Sequence, residues 1–98
     1  MAGYVIIWSE EARAERDAIR SFLRPGVETA VGQLEHQAEV ETLQRKRLRP
    51  GEGLPANFPD PTWRLRVGPY RILYCVEGRI VRVLRVILKG RKTLGECL

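Results

Sequence analysis

Residues 63–74 read Trp-Arg-Leu-Arg-Val-Gly-Pro-Tyr-Arg-Ile-Leu-Tyr, the clearest secondary-structure pattern in the chain. Its first five residues alternate between apolar and basic side chains, which is the period of a strand with one buried and one exposed face. The Gly-Pro dipeptide in its middle predicts a turn, and a second strand is expected over residues 70–76. Arg64 and Arg66 then share one face of the sheet, and Arg71 on the neighbouring strand can share it with them.

Upstream of this stretch, the pattern predicts one strand and two helices. Tyr4–Trp8 is an apolar, β-branched and aromatic run, which indicates a strand buried on both faces. A first helix is expected after it, to about Leu23, with Pro25-Gly26 as its break. A second helix begins near Val27 and ends around Arg45–Arg47, cations that suit a helix C-terminus. The helical residues expected to face the core are Ala12, Ile19, Phe22, Leu23, Val27, Ala30, Val31, Leu34 and Ala38.

Downstream of the helices, the chain contains one irregular stretch and a last strand. Leu48–Pro61 holds four of the six prolines and predicts a loop. Ile80–Leu88 is mostly apolar and predicts a central strand. The expected order is β-α-α-β-β-β, an α+β fold in which a helical hairpin packs on a small, mostly antiparallel sheet. With 98 residues, residues 1–98 are expected to form a single domain.

Several functional classes are excluded by composition. The two cysteines, Cys75 and Cys97, and the one histidine, His36, make neither a disulfide framework nor a metal-ligand cluster. The sequence contains no glycine-rich phosphate loop and no nucleophile elbow, so nucleotide hydrolysis, serine chemistry and a bound cofactor are not expected. No apolar run approaches the ~20 residues of a membrane helix, and the N-terminus lacks a signal-peptide pattern. We therefore expect a cytoplasmic protein without a membrane partner.

Charge is distributed unevenly along the chain. Residues 1–44 carry four basic and eight acidic side chains, a net charge of −4. Residues 45–98 carry thirteen basic and four acidic side chains, a net charge of +9, which gives the overall +5. Positive charge confined to one half of a chain indicates a face that binds a polyanion.

The same segment carries a resemblance to a known family. Trp63–Tyr74, with its basic strand, glycine turn and Tyr-Arg followed by an aliphatic run, is similar to the most diagnostic segment of RelE/ParE toxins. Val81–Ile87 resembles the family's last strand, and Lys89–Lys92 resembles the basic cluster after that strand. Leu48–Gly51 resembles a leucine-basic-glycine element of the family. The resemblance implies the β-α-α-β-β-β fold and an acidic antitoxin protein as partner.

The resemblance also implies a site. RelE-type members are ribosome-dependent endoribonucleases that cut A-site mRNA by attack of a 2′-hydroxyl on the adjacent phosphate. Arg64 and Arg66 match the two outward basic positions of that site, and Arg71 matches the arginine that holds the scissile phosphate. Arg91, or Lys92 in a shifted register, matches the residue that stabilises the leaving group. Planar guanidinium groups suit this chemistry because they bind phosphate oxygens bidentately.

Further RNA contacts are expected from Arg49, Lys89 and Lys92, and Tyr70 stays open as a base-stacking residue. Two departures from RelE-type sites are visible. Both outward positions hold arginine where that type carries a lysine, and no tyrosine follows Tyr74 in the chain. Arginine remains protonated at neutral pH and is no general base. The proton acceptors left nearby are Glu77, Glu96, Lys89 and Lys92, and Glu96 is a candidate substitute base.

Three functional hypotheses are consistent with these observations. The leading one is a toxin that cleaves mRNA on the ribosome and is silenced by its antitoxin. The alternative is a ParE-like inhibitor of DNA gyrase without ribonuclease activity, for which the missing lysine and tyrosine argue. The third is a basic binding protein without toxicity. For the leading hypothesis, Arg71→Ala is expected to abolish toxicity and leave the fold intact, since an outward arginine contributes little to stability.

Overall fold

A computed structural model describes residues 3–48 and 62–88. The elements are β1 (Val5–Trp8), α1 (Glu10–Asp17), α2 (Arg24–Gly32), α3 (Leu34–Gln37), β2 (Arg45–Leu48), β3 (Thr62–Val67), β4 (Tyr70–Glu77) and β5 (Ile80–Leu88). The strands form one five-stranded sheet in the order β1-β5-β4-β3-β2, in which only β1 and β5 are parallel. The predicted α+β class with a mostly antiparallel sheet is confirmed. The element order gains strand β2 and the short helix α3.

The two predicted turns are present at the expected places. Gly68 joins β3 to β4 with φ of 56°, and Gly78 joins β4 to β5 with φ of 61°. Side chains other than glycine rarely adopt this left-handed conformation, so both hairpins depend on these glycines. The register between β4 and β5 shifts between Leu73 and Tyr74.

The helices cover one face of the sheet and form the core with it. Tyr74 is fully buried there, stacks on Trp63 with ring centroids 6.1 Å apart, and donates its hydroxyl to the Ala38 carbonyl at 2.6 Å. The buried cluster consists of Ala12, Ile19, Val27, Val31, Leu34, Ala38, Trp63, Leu65, Ile72, Tyr74, Val81, Val83 and Val86. The opposite face of the sheet therefore carries the alternate residues of each strand.

The first helix differs from the prediction. Ser9 caps α1 by accepting the amide of Ala12 on its Oγ at 3.0 Å, but α1 ends at Asp17, earlier than expected. Phe22, predicted to face the core, is exposed in the turn that follows. Pro25-Gly26 does not break a helix; it lies in the first turn of α2, where proline is tolerated because the amides of that turn have no intrahelical partner. The other predicted core positions on the helices are buried or pack against the core.

The second predicted helix is also shorter than expected. Arg45–Leu48 is strand β2 rather than a helix end, and it pairs with β3. Arg45 is buried, and its Nη1 donates to the carbonyls of Gln37 at 2.8 Å and Val40 at 2.9 Å. A cation does satisfy the carbonyls at this helix end, but it reaches them from the next strand.

One expectation about strands is corrected and one is confirmed. The first strand is not buried on both faces, because β1 lies at an edge of the sheet and its Val5 and Ile7 side chains are exposed. The strand predicted as central, β5, lies inside the sheet between β4 and β1. Most of the predicted loop Leu48–Pro61 is outside the described residues, and Leu48 itself belongs to β2.

No helix in the described ranges is long and apolar enough to cross a membrane.

Candidate anion-binding site

The β3–β4 hairpin brings the predicted arginines together. Its register places Arg66 directly opposite Arg71 and Arg64 opposite Leu73. Directly opposed residues of antiparallel strands point to the same face, and so do residues two apart on one strand. All three arginines therefore lie on the sheet face opposite the helices, as the alternation over residues 63–67 predicts.

Arg71 is held more closely than an outward strand residue. Its side chain is only 7% exposed, and its Nη1 donates to the carbonyls of Gly68 at 3.4 Å and Tyr70 at 3.3 Å. The guanidinium therefore bends toward the β3–β4 turn, and its Nε is buried without a hydrogen-bond partner in the described part of the chain. The premise that Arg71 is an exposed outward residue is wrong, because its side chain is buried at the turn. We therefore expect Arg71→Ala to cost stability as well as binding.

The Arg66–Arg71 pair concentrates positive charge. Burial lowers the pKa of Arg71, and the nearby positive charge of Arg66 lowers it further. Like charges placed directly opposite each other on a sheet are destabilising. No carboxylate of the described residues forms an ion pair with either arginine. A bound anion would remove this repulsion and supply the missing acceptors, so the pair is suited to a phosphate.

Strand β2 adds a residue that the sequence prediction missed. Its register places Lys46 directly opposite Arg64, and therefore on the same face. The sequence prediction puts Lys46 at a helix end, where it would be remote from the arginines. Pro50 is no signal against that assignment, because it restricts only the residue before it and a helix can end there. The pairing of β2 with β3 places Lys46, and no local pattern indicates that pairing. The described part of the face thus carries Lys46 beside the three arginines.

Other arginines of the basic half are already engaged. Arg85 donates from Nε to Oε2 of Glu15 at 2.9 Å, and its Nη2 reaches the same oxygen. Arg82 forms an ion pair with Glu77 at 3.1 Å. Arg45 donates to the carbonyls of Gln37 and Val40, and together with Arg82 and Arg85 it stabilises the fold. The net charge of +9 on residues 45–98 is therefore partly neutralised by partners within the protein. The positive charge that stays without such partners is confined to a smaller surface than the number of basic residues suggests.

The predictions for the tyrosine and tryptophan side chains differ in how they compare with the structure. Tyr74 is core, as expected, and burial is the main reason why its pKa is raised. Trp63 is also core, whereas Trp8 is partly buried and has the Arg16 guanidinium 4.8 Å above its ring. Tyr70 is partly buried, packs against the core and lines a cavity at the end of β5.

The described ranges bring together a candidate phosphate site, and no evident proton acceptor lies among its residues. The candidate residues Arg49, Lys89, Arg91, Lys92 and Glu96 lie outside the described residues. Within residues 3–48 and 62–88, no cluster of three or more metal-ligating side chains is present, and His36 is exposed on α3. The arrangement can bind and polarise a phosphate; a base for 2′-hydroxyl attack is not among the residues it brings together.

Comparisons with known proteins give one family and several related folds. The family model described as ParE toxin of type II toxin-antitoxin system, parDE, matches residues 6–92. The RelE–RelB complex of Pyrococcus horikoshii OT3 is similar, with 18% identity over 93% of this chain and 99% of that chain and a TM-score of 0.70. The RelBE2 complex of Mycobacterium tuberculosis has 24% identity over 89% and 99% of the two chains and a TM-score of 0.65.

A chromosomal ParDE system of P. aeruginosa is similar as well, with 19% identity over 89% of this chain and 97% of that chain and a TM-score of 0.61. A comparison with curated protein sequences gave no match. At these identities, the structural similarities establish the fold that RelE and ParE proteins have in common.

Proposed function

The chain belongs to the ParE toxin family of type II toxin–antitoxin systems, and we propose that it acts as a ribosome-dependent endoribonuclease on A-site mRNA. Membership confirms the resemblance to the RelE/ParE superfamily carried by residues 63–92. The proposal rests on one observation: Arg66 and Arg71 lie directly opposite each other on the sheet face away from the helices, without a described carboxylate partner. Such a pair is suited to the phosphate of a nucleic-acid backbone.

In the proposed reaction, the ribose 2′-oxygen bonds to the adjacent phosphorus while the bond to the 5′-oxygen of the next nucleotide breaks. The nucleophile loses a proton and the departing oxygen gains one. Negative charge accumulates on the equatorial phosphate oxygens, where Arg66 and Arg71 would stabilise it most. Arg71 remains charged at neutral pH despite its lowered pKa, because a guanidinium does not deprotonate in proteins. Arg64 and Lys46 on the same face would hold the flanking backbone.

Proton transfer in this proposal falls to residues beyond the described ranges. Arg91, with Lys92 as its neighbour, remains the predicted contact of the leaving group, and Glu96 remains the predicted substitute base. Lys46 is the one lysine in the described part of the chain, and it would contribute a point charge to the site.

The partners proposed for this chain are an acidic antitoxin and mRNA on the cytoplasmic ribosome. The Pyrococcus and Mycobacterium relatives are toxin–antitoxin complexes, which supports an antitoxin here. A basic face that must be silenced favours an acidic segment as its cover, because complementary charge directs and speeds association. Neither a metal nor an organic cofactor enters the proposed chemistry.

A second function, inhibition of DNA gyrase without RNA cleavage, is favoured by two observations. The matching family is that of ParE toxins. The described residues of the basic face also offer no general base, since Glu77 is tied to Arg82 and Cys75 is a buried thiol whose pKa is raised by burial. In this second proposal, the same arginines would contact gyrase or its DNA.

The deciding experiment is primer extension on a defined mRNA in a purified translation system, run in parallel with a gyrase supercoiling assay. Discrete cuts within A-site codons, lost in Arg71→Ala, are the result expected for the leading proposal. Intact mRNA together with inhibited supercoiling would replace it with the second. Arg79→Ala is a matched control, since Arg79 is an exposed arginine in the β4–β5 turn, away from the Arg66–Arg71 pair.

A further inference from the structure

Strand β5 loses its neighbour on one side before it ends. The pairing of β1 with β5 stops at Val83, and no other described strand lies along that side of β5. Two side chains take the place of a neighbouring strand beyond this point. The Ser9 hydroxyl donates to the carbonyl of Leu84 at 2.9 Å. Oε1 of Glu15 accepts from the amide of Val86 at 2.7 Å. Side chains of the same protein therefore satisfy part of this edge of β5.

Two backbone groups of the same edge have no partner among the described residues. Because the amide of Val86 points away from β4, the carbonyl of Val86 and the amide of Leu88 point the same way. Unpaired groups at a sheet edge are a template for a further strand. One residue of a strand parallel to β5 would bond both groups, by donating to the carbonyl and accepting from the amide. Since β1 is also parallel to β5, such a strand would continue the line of β1.

A mainly apolar cavity of about 250 Å³ borders these two groups. Val86 and Leu88 line it, together with Ala18 and Ile19 at the C-terminal end of α1. The volume lies below the range of about 300–1,000 Å³ that is typical of sites for drug-sized ligands. It is suited to an apolar side chain of a strand that lies on β5. Added strands are recognised in this way, with backbone hydrogen bonds for affinity and side-chain pockets for specificity.

The charge around the cavity is positive. Glu15 is the one carboxylate among the described lining residues, and its two oxygens accept from Arg85 and from the amide of Val86. Nη1 of Arg85 makes no hydrogen bond within the described part of the chain. Three of the four residues that follow Leu88 in the sequence are cations. This end of β5 therefore favours a segment in which acidic residues flank an apolar one.

We infer that the edge of β5 over Val86–Leu88 is a docking site for an extended acidic segment of the antitoxin. The segment lies parallel to β5, bonds the free carbonyl and amide through one residue, and places an apolar side chain in the cavity. The inference rests on the proposed acidic antitoxin as partner. It adds a surface that includes neither Arg66 nor Arg71.

The test measures the binding of fluorescein-labelled peptides to the purified protein by fluorescence anisotropy. The probe is acetyl-Glu-Leu-Glu-Leu-Glu-amide, and its counterpart has lysine in place of each glutamate. We expect the acidic peptide to bind at least about tenfold more tightly, because its charge is complementary to the site. A fully N-methylated acidic peptide has no amide to donate to the carbonyl of Val86, and we expect it to bind about tenfold more weakly.

Three variants of the protein locate the binding surface. Ala18→Leu fills part of the cavity and should weaken binding of the acidic peptide about tenfold or more, since burial of one leucine side chain contributes about that much. Ala14→Leu is the matched control, because Ala14 is an exposed alanine of the same helix that does not line the cavity. Ala14→Leu and Arg66→Ala should both bind the acidic peptide as the original protein does.

The outcomes separate this surface from the functions proposed above. Equal binding of the acidic and basic peptides, binding that Ala18→Leu leaves unchanged, or no binding up to about 1 mM would each overturn the inference. Binding that is lost in Arg66→Ala and kept in Ala18→Leu would keep an acidic partner and move it to the arginine pair. The mRNA cleavage assay is independent of all these results, so the ribonuclease proposal stands or fails separately.

Discussion

Two arginine sites on the same sheet differ in whether the positive charge has a carboxylate partner among the described residues. At the end of β5, Arg85 is neutralised by Glu15, which also accepts the amide of Val86. On the β3–β4 hairpin, Arg66 and Arg71 face each other, and only backbone carbonyls accept from Arg71. At the first site, a carboxylate of the same protein neutralises the positive charge of Arg85. The second has no described anion, so its counter-charge is expected from a ligand.

This comparison explains why a residue count overstates the binding surface. The second half of the chain carries +9, but Arg82 and Arg85 are paired with carboxylates and Arg45 closes a helix end. A buried unpaired charge is costly unless something compensates it. The sites at which compensation is missing therefore indicate function better than the total charge does.

The largest expected effect is on activity at the hairpin. Arg71→Ala removes the bidentate donor nearest the proposed phosphate, so we expect toxicity or mRNA cleavage to fall at least about a hundredfold. Arg71→Lys keeps the charge but loses the planar fork, and an intermediate loss is expected. Growth arrest on induction and the cleavage rate measure the effect. Circular dichroism of both variants checks folding, because Arg71 is 7% exposed and removing it also disturbs the turn.

At the Arg85–Glu15 pair, we expect a substitution to reduce stability rather than activity. Glu15→Ala leaves Arg85 and the amide of Val86 without their acceptor, and hydrogen bonds to charged groups contribute roughly 1.5–3 kcal/mol each. We expect the free energy of unfolding to fall by about 2 kcal/mol, with toxicity retained at low temperature. Urea denaturation measures this, and Glu28→Ala on the exposed side of α2 is the control. A stable but inactive Glu15→Ala would break the distinction between the two sites.

A third prediction concerns the core beneath both sites and its pH dependence. Burial raises the pKa of Tyr74, so the folded protein keeps that proton above pH ~10, where an unfolded tyrosine loses it. Above that pH the unfolded state binds fewer protons, and the free energy of unfolding therefore falls as the pH rises. Tyr74→Phe should cost about 1 kcal/mol at neutral pH, because the Ala38 carbonyl loses its donor, and should make the alkaline decline shallower.

Denaturation at pH ~7 and above pH ~10 measures both effects of this substitution. Tyr4→Phe is the comparison, because the Tyr4 hydroxyl bonds Glu39 at the surface and this bond also raises the pKa of Tyr4. A smaller change of the alkaline decline is expected for Tyr4→Phe than for Tyr74→Phe. An alkaline decline that is unchanged in Tyr74→Phe would show that another group causes it.

The smallest effect is expected for Arg82→Ala. Arg82 and Glu77 are 49% and 64% exposed, and exposed ion pairs contribute roughly 0–1 kcal/mol. Stability should change by less than about 0.5 kcal/mol, and toxicity should be unaffected. A loss of toxicity as large as that of Arg71→Ala would extend the binding site to β5 and would remove the contrast between the two arginine sites.

How far the sequence predicts the fold depends on whether the deciding contacts are local. The alternation over residues 63–67 and the two glycine turns are local signals, and they predict the hairpins and the shared face of Arg66 and Arg71. Strand β2 was missed because its partner β3 lies beyond a long intervening stretch, so no periodicity within 45–48 indicated the pairing. Lys46 was missed for the same reason.

The environment of Arg71 could not be predicted from the two-residue alternation of side chains along the strand alone. Alternation shows which face a side chain is on, but not that its guanidinium bends toward the carbonyls of Gly68 and Tyr70. The extent of α1 was misjudged because Phe22 and Leu23 continue the apolar pattern beyond Asp17, although only Leu23 packs against the core. Tertiary packing overrides periodicity at such helix ends.

The most direct test of the central claim is the salt dependence of binding to a single-stranded oligoribonucleotide, measured by fluorescence anisotropy. Each phosphate contact contributes roughly −0.7 to the slope of log K against log salt concentration. Arg66→Ala and Arg71→Ala should each reduce the slope by about that amount, and Arg82→Ala should leave it unchanged. Equal changes for all three variants, or no change for Arg66→Ala and Arg71→Ala, would contradict the assignment of the hairpin as the anion site.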